Sequence, residues 1–316
     1  MERRVLVAEA AHAGRTVQRQ LHDLLGMSHQ AARGLIDAGG VRCNGRVVTR
    51  ADHRLAEGDR LEAAWDPARR YRPSPAPTSG AGFRVLHEDE ALAVVEKEAG
   101  VLTVPAPGHA GPSLAERLEE GWRRRGHKRA RAHVVHRIDL YTSGLVVFAR
   151  SRGAWEDLKA QFASGSPERV YLAVAEGRVD ADSGRLVHHL TEHPKSFKVQ
   201  ATLPTDRGAR RAASRFRVLE RFADAATLVE VSLETGRRNQ IRVQFASTGH
   251  PLVGDIAYGH PSPLIGRTAL HAARLRFRHP LDGRPVDFRS EIPGDLRRLL
   301  RRLRAGHVPR MSKEDI

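Results

Sequence analysis

Residues 133–149 read His-Val-Val-His-Arg-Ile-Asp-Leu-Tyr-Thr-Ser-Gly-Leu-Val-Val-Phe-Ala. A short apolar piece, Val134-Val135, runs into the charged knot His136-Arg137-Ile138-Asp139. A turn-forming Thr142-Ser143-Gly144 follows, and then an apolar run over 145–149. The pattern predicts a strand, a polar loop and a second strand. Two rigid strands then aim one carboxylate from the loop between them. A carboxylate fixed in this way suits a nucleophile or base, because geometry must be set before chemistry.

The chain carries 53 Lys+Arg against 37 Asp+Glu over 316 residues, a formal charge of +16. Such a field draws polyanions, so nucleic acid is the expected partner, bound in a salt-dependent way. The clustering of Arg123, Arg124, Arg125, Lys128, Arg129 and Arg131 argues against a mere coding bias. Cys43 is the single cysteine, which excludes an intrachain disulfide and a cysteine-built zinc cage. No apolar run is long enough for a signal peptide or a membrane span. A cytoplasmic, monomeric protein without metal or cofactor is expected.

Residues 1–65 are expected to form a small α+β domain, with its compact part from 16 onward. Val17, Leu21, Leu24 and Leu25 recur at helical spacing, and Ser28 can cap a second helix carrying Leu35 and Ile36. Asn44-Gly45 marks a hairpin, and a last strand is expected over 60–64. Residues 66–82, with Pro67, Pro73, Pro75 and Pro77, have linker composition. From 83 to 304 the chain changes to many short strands with few helices. No regular strand–helix alternation appears, so a mixed, mainly antiparallel α+β domain is expected. Leu296, Leu299, Leu300 and Leu303 predict an amphipathic helix over 295–304 with arginines on its other faces. Packing is its first reading, RNA contact its second and a membrane surface its third. Residues 305–316 are expected to be a tail.

Several segments carry a resemblance. The run His136-Arg137-Ile138-Asp139 with Thr142-Ser143-Gly144 resembles the active-site signature of the RluA-type pseudouridine synthases. Residues 96–102, Arg169-Val170-Tyr171-Leu172-Ala173, and Thr235-Gly236-Arg237-Arg238-Asn239-Gln240-Ile241-Arg242 resemble further motifs of that family, in family order. So does Gly249-His250-Pro251 through Gly254-Asp255 to Tyr258-Gly259, and Leu270-His271-Ala272 matches a strand of the family. Ile138 stands where the family has Leu, and Glu98 where it has Pro. Residues 16–65 resemble the S4 RNA-binding domain, with Arg33 and Arg42 near the surface.

The resemblance implies isomerisation of uridine to pseudouridine in RNA, without cofactor or metal. It makes Asp139 the nucleophile, sets Tyr171 against the base, and brings Arg242 to pair with Asp139. His136, Arg137, Thr142, Arg237, Asn239 and Gln240 are the expected substrate-binding residues, with Arg33 and Arg42 on the S4-like unit. Large-subunit ribosomal RNA is the expected substrate, with transfer RNA as the alternative. A non-catalytic ribosome-assembly factor is the rival class. Other chemistries fit poorly: there is no phosphate-binding Gly-rich loop, no Gly-x-Ser-x-Gly elbow, and no carboxylate or cysteine set completes a metal site around His133 and His136.

Overall fold

The computed structural model describes residues 2–37, 40–48, 53–67, 82–106, 111–127, 129–193 and 198–309. Most of the expected linker (68–81), the end of the expected tail (310–316) and Lys128 lie outside the described residues.

The N-terminal unit holds a four-stranded antiparallel sheet. Its strands are β1 (Glu2–Val7), β2 (Val41–Cys43), β3 (Arg46–Val47) and β4 (Arg60–Trp65), in the order β1-β4-β2-β3. Helices α1 (Val17–Leu25) and α2 (His29–Asp37) lie between β1 and β2 in the chain. Thr16 caps α1 by accepting the Arg19 N–H, and Gly26 ends it in the left-handed region. Ser28 Oγ accepts the Ala31 N–H at 3.1 Å, the cap expected for α2. Asn44 and Gly45 take φ of 52° and 74°, as a two-residue hairpin of the primed type requires. Val17, Leu21, Leu35, Ile36, Val41 and Leu61 form the core of this unit. Strand β1 was not expected. Its side chains are largely exposed, so this edge strand, paired along its length with β4, shows no apolar alternation to read.

The second sheet has eleven strands. They are β5 (Phe83–Glu88), β6 (Leu92–Lys97), β7 (His133–Val134), β8 (Ser143–Ala149), β9 (Glu168–Glu176), β10 (Ser183–Glu192), β11 (Val199–Thr202), β12 (Arg210–Phe222), β13 (Ala226–Leu233), β14 (Leu270–Arg278) and β15 (Pro285–Arg289). The order is β11-β10-β12-β13-β9-β14-β8-β6-β5, with β15 beside β14 and β7 beside β8. Among the described residues only the β8–β14 pairing is parallel, so the sheet is mixed and mainly antiparallel, as expected. Its helices are α3 (Leu114–Arg124), α4 (Arg152–Ser164), α5 (Gln240–Ser247) and α6 (Gly294–Arg304).

Strand β8 is covered on both faces. Val146 and Phe148 pack with Leu118 and Trp122 of α3, while Leu145 and Val147 pack with Ala154 and Leu158 of α4. Two-sided burial explains why 145–149 reads as an unbroken apolar run. Truncating the fully buried Trp122 to Ala should cost about 3–5 kcal/mol. The leucines of α6 are buried against Val174, Phe222 and Val253, and its arginines are exposed, which supports the packing reading. No helix among the described residues is long and apolar enough to cross a membrane.

Candidate active site

Asp139 sits on the loop between β7 and β8. Four successive carbonyls of that loop have partners, which fixes its path. Thr103 Oγ1 donates to Ile138 O at 2.8 Å, and the Thr142 N–H donates to Asp139 O at 3.1 Å. Leu140 O accepts from the Gly100 N–H at 2.8 Å and from Lys97 Nζ at 3.1 Å. Tyr141 O accepts from Arg267 Nη1 at 3.1 Å. Lys97 is fully buried and also donates to Glu98 O and Val101 O, at 2.9 and 2.8 Å. Burial pulls its ammonium down to about 7, with Arg267 adding to that and Asp139 opposing it. Gly144 ends the loop with φ of 111°. A Cβ there would stand 2.2 Å from Ala272 O, so the close parallel approach of β14 requires glycine.

Arg242, on α5, points its Nη1 at Asp139 Oδ2 over 3.3 Å. Its main partner is Asp255, bound through two N–H donors at 2.6 and 2.8 Å. Asp255 is fully buried. The guanidinium also lies over the Tyr258 ring, 5.0 Å from its centre, and donates to Asn239 Oδ1 at 3.2 Å. Burial alone would lower Arg242, but the hydrogen bonds and charge of Asp255 outweigh it and raise the pKa. Arg242 is thus a fixed cation. Asp139 keeps 23% of its side chain exposed, open to a ligand.

Both residues line a cavity of about 580 Å³ with Tyr171, Arg137 and Thr142, within the range of roughly 300–1,000 Å³ typical of ligand pockets. Tyr171 is 8% exposed. Burial first, and the charge of Asp139 second, push its phenol up to about 12, against the opposing Arg169. It is a neutral phenol at ordinary pH. His136 Nε2 accepts the Val147 N–H at 3.2 Å, and its ring stacks on Phe162 at 4.6 Å. Burial, with Arg169 and Lys159 near, pushes His136 down to about 3, so it forms a neutral wall of the pocket.

The expected binding residues divide. Arg137 is exposed on the Asp139 loop, and Arg237 is exposed at the rim with its Nε on Arg211 O at 3.1 Å. Gln240 is 3% exposed and spends its amide on Thr235, the Arg237 N–H and Ala213 O. Asn239, at φ of 53°, bonds Arg242 and Tyr258. Thr142 is 2% exposed. All three line the cavity, and the side chains of Asn239 and Gln240 also tie its loops together. On the N-terminal unit Arg33 and Arg42 are exposed, and Arg42 donates to Gly45 O. Sequence reading gave no role to Thr103, Lys97, Asp255 or Arg267. Lys97 and Asp255 lie inside quoted motifs, but Thr103 and Arg267 carry no signal of their own. Among the described residues, the two groupings able to hold a metal, Cys43/His53/Asp59 and His87/Asp89/His279, do not line this cavity.

The family profile described as RNA pseudouridylate synthase matches residues 91–247, and that of the S4 domain matches 24–61. An uncharacterised RNA pseudouridine synthase of Mycobacterium bovis is 34% identical over 305 residues, spanning 92% of this chain and 95% of that protein. A ribosomal large subunit pseudouridine synthase D of Neisseria meningitidis is 36% identical over 245 residues, spanning 73% of this chain and 64% of that protein. Among solved structures, human RNA pseudouridylate synthase domain containing 4 superposes with a TM-score of 0.58 at 22% identity, over 70% of this chain and 92% of its own. That is a likeness of fold. With 34% identity across nearly the whole length of a relative, the chain belongs to the RluA-type RNA pseudouridine synthases, isomerases of RNA, and carries an S4 domain ahead of its catalytic sheet.

Proposed function

We propose that this enzyme isomerises uridines of large-subunit ribosomal RNA, with Asp139 as nucleophile. The observation that carries the reading is one cavity lined by a partly exposed carboxylate, a guanidinium pinned beside it and a neutral phenol. The reaction breaks the C1′–N1 bond, turns the uracil in place and joins C1′ to C5. Nothing is consumed, so the balance needs no cofactor. The target nucleotide must leave its stack to enter the cavity. The Tyr171 ring offers a face to the base. Arg242 restricts Asp139 to one orientation. Arg137 stacks on neighbouring bases or fills the space the nucleotide leaves, and Arg237 meets phosphate at the rim.

Ribosomal RNA is favoured because relatives in Neisseria meningitidis and Zymomonas mobilis bear the name ribosomal large subunit pseudouridine synthase D. In this reading, residues 1–65 grip structured RNA through Arg33 and Arg42, and 66–82 link them to a catalytic domain over 83–304, with a tail at 305–316. The enzyme works as a cytoplasmic monomer. Carbodiimide mapping of ribosomal and transfer RNA incubated with the purified protein tests the substrate. New stops confined to large-subunit RNA are expected. Stops confined to transfer RNA overturn that choice, and no stops in either would favour a non-catalytic RNA-binding factor.

A further inference from the structure

Arg169 is the second residue of β9, two residues before Tyr171 and on the same face of the strand. It is only 7% exposed, yet its Nε and Nη2 have no hydrogen-bond partner, and no carboxylate among the described residues pairs with it. Its guanidinium lies near the Phe162 ring, 5.6 Å from the centre, and lines the same cavity as Asp139. A Cβ on Gly236 would fall 2.6 Å from its Nη1, so glycine at 236 leaves room for it. The other buried arginines near the loop are compensated: Arg242 by Asp255 and Asp139, and Arg267 by Asp295. An arginine does not relieve an unpaired charge by losing its proton. An unpaired buried cation destabilises the empty enzyme, and it is pre-aimed at any negative charge that forms in the cavity.

Two parts of the nucleotide could supply that charge, its phosphate or its base. Exposed Arg237 at the cavity rim is already available to phosphate, whereas Arg169 is buried beside Tyr171. Building on the reading above, we propose that Arg169 stabilises the negative charge that the uracil acquires while it is detached from the sugar. Asp139 attacks C1′ as C1′–N1 breaks, and the electron pair of the broken bond leaves with the base and spreads over N1, O2 and O4. When C1′–C5 forms, a pair from the ring displaces the Asp139 carboxylate from C1′, C5 loses its proton and N1 gains one, and the charge is gone. A fixed donor in a water-poor cavity acts strongly on such transient charge.

The test compares Arg169→Met and Arg169→Lys with the wild-type enzyme. Arg169→Met should lower the single-turnover rate at saturating RNA by about 10²–10³-fold, with Kd and its salt dependence little changed. Arg169→Lys should retain part of the rate. Thermal melting should show Arg169→Met at least as stable as wild type, since an uncompensated charge is removed. On RNA bearing 5-fluorouridine, whose base carries negative charge more readily but whose C5 has no proton to lose, the reaction halts after C1′–C5 joining, so its rate is read as loss of 5-fluorouridine on nucleoside analysis, and there the deficit of Arg169→Met should shrink. A weaker Kd with a shallower salt slope and an unchanged saturating rate would mean a phosphate contact and overturn the proposal. A lower melting temperature with equal deficits on both substrates would mean a structural role and also overturn it. If wild type is active, Asp139→Asn is inactive and Arg169→Met is fully active, this inference alone fails. An active Asp139→Asn would instead overturn the underlying reading.

Discussion

Asp255→Asn isolates the support beneath the Asp139–Arg242 pair, the proposed catalytic centre. The substitution keeps the shape of the side chain and removes its charge. Asp255 is fully buried, takes two N–H donors of Arg242 at 2.6 and 2.8 Å, and accepts the Ala257 and Tyr258 N–H groups at 3.1 and 3.2 Å. Removing one partner of a buried ion pair strands the other, which typically costs about 3–5 kcal/mol. At roughly 2–4 °C per kcal/mol for a domain of this size, the melting temperature should fall by about 6–20 °C. Arg242 then has Asp139 as its remaining carboxylate, at 3.3 Å, and should shift onto it. A displacement of that kind in a catalytic constellation can lower the saturating rate on the order of 10²-fold. Urea melts and single-turnover tritium release from C5-labelled RNA read the two effects. The paired variant Asp255→Leu with Arg242→Met should regain much of the stability, because a packed apolar pair can replace a buried ion pair, but not the rate. An Asp255→Asn enzyme with wild-type melting and wild-type rate would refute the reasoning.

Gly144→Ala should destabilise by about 2–4 kcal/mol, since its Cβ meets the β14 backbone at 2.2 Å and its φ is 111°; a urea midpoint near wild type would show that β8 and β14 can part freely. His136 is held neutral in the fold, its pKa depressed from 6.5 to about 3. The unfolded chain therefore takes up a proton first as pH falls, so this contribution to stability is present above 6.5 and is lost progressively between 6.5 and about 3. His136→Gln should show a shallower loss of urea stability across that window than wild type, and equal slopes would contradict the account. Deleting residues 1–65 should weaken binding to structured ribosomal RNA more than it slows a saturating minimal substrate; equal losses in both assays would argue against a separable grip.

Local rules made some elements legible. Asn44-Gly45 carried its own turn geometry, Ser28 its cap, and the leucines of α6 their buried face. Strands β10, β11 and β15 carry no clear pattern in the sequence: Ser183–Glu192 is mostly polar and partly exposed, and β11 and β15 are only four and five residues long. At the site, motif order pointed to Asp139, Tyr171 and Arg242. It did not reveal that Asp255 is the main anchor of Arg242, because that contact forms only when α5 and the loop after it fold against each other. Thr103 and Arg267 are isolated in sequence, and their importance lies in which carbonyls they meet. Gln240 lines the cavity, but its bonds to Ala213 and Thr235 were not legible, because Ala213 meets it only once β12 and α5 pack together.

The most direct test of the central claim is carbodiimide mapping of RNA after incubation with Asp139→Asn, alongside a filter-binding measurement on the same preparation. The account predicts no detectable pseudouridine while Kd stays within about threefold of wild type, since loss of one partly exposed carboxylate opposes no RNA contact. Pseudouridine formed by that variant at an appreciable fraction of the wild-type rate would contradict it.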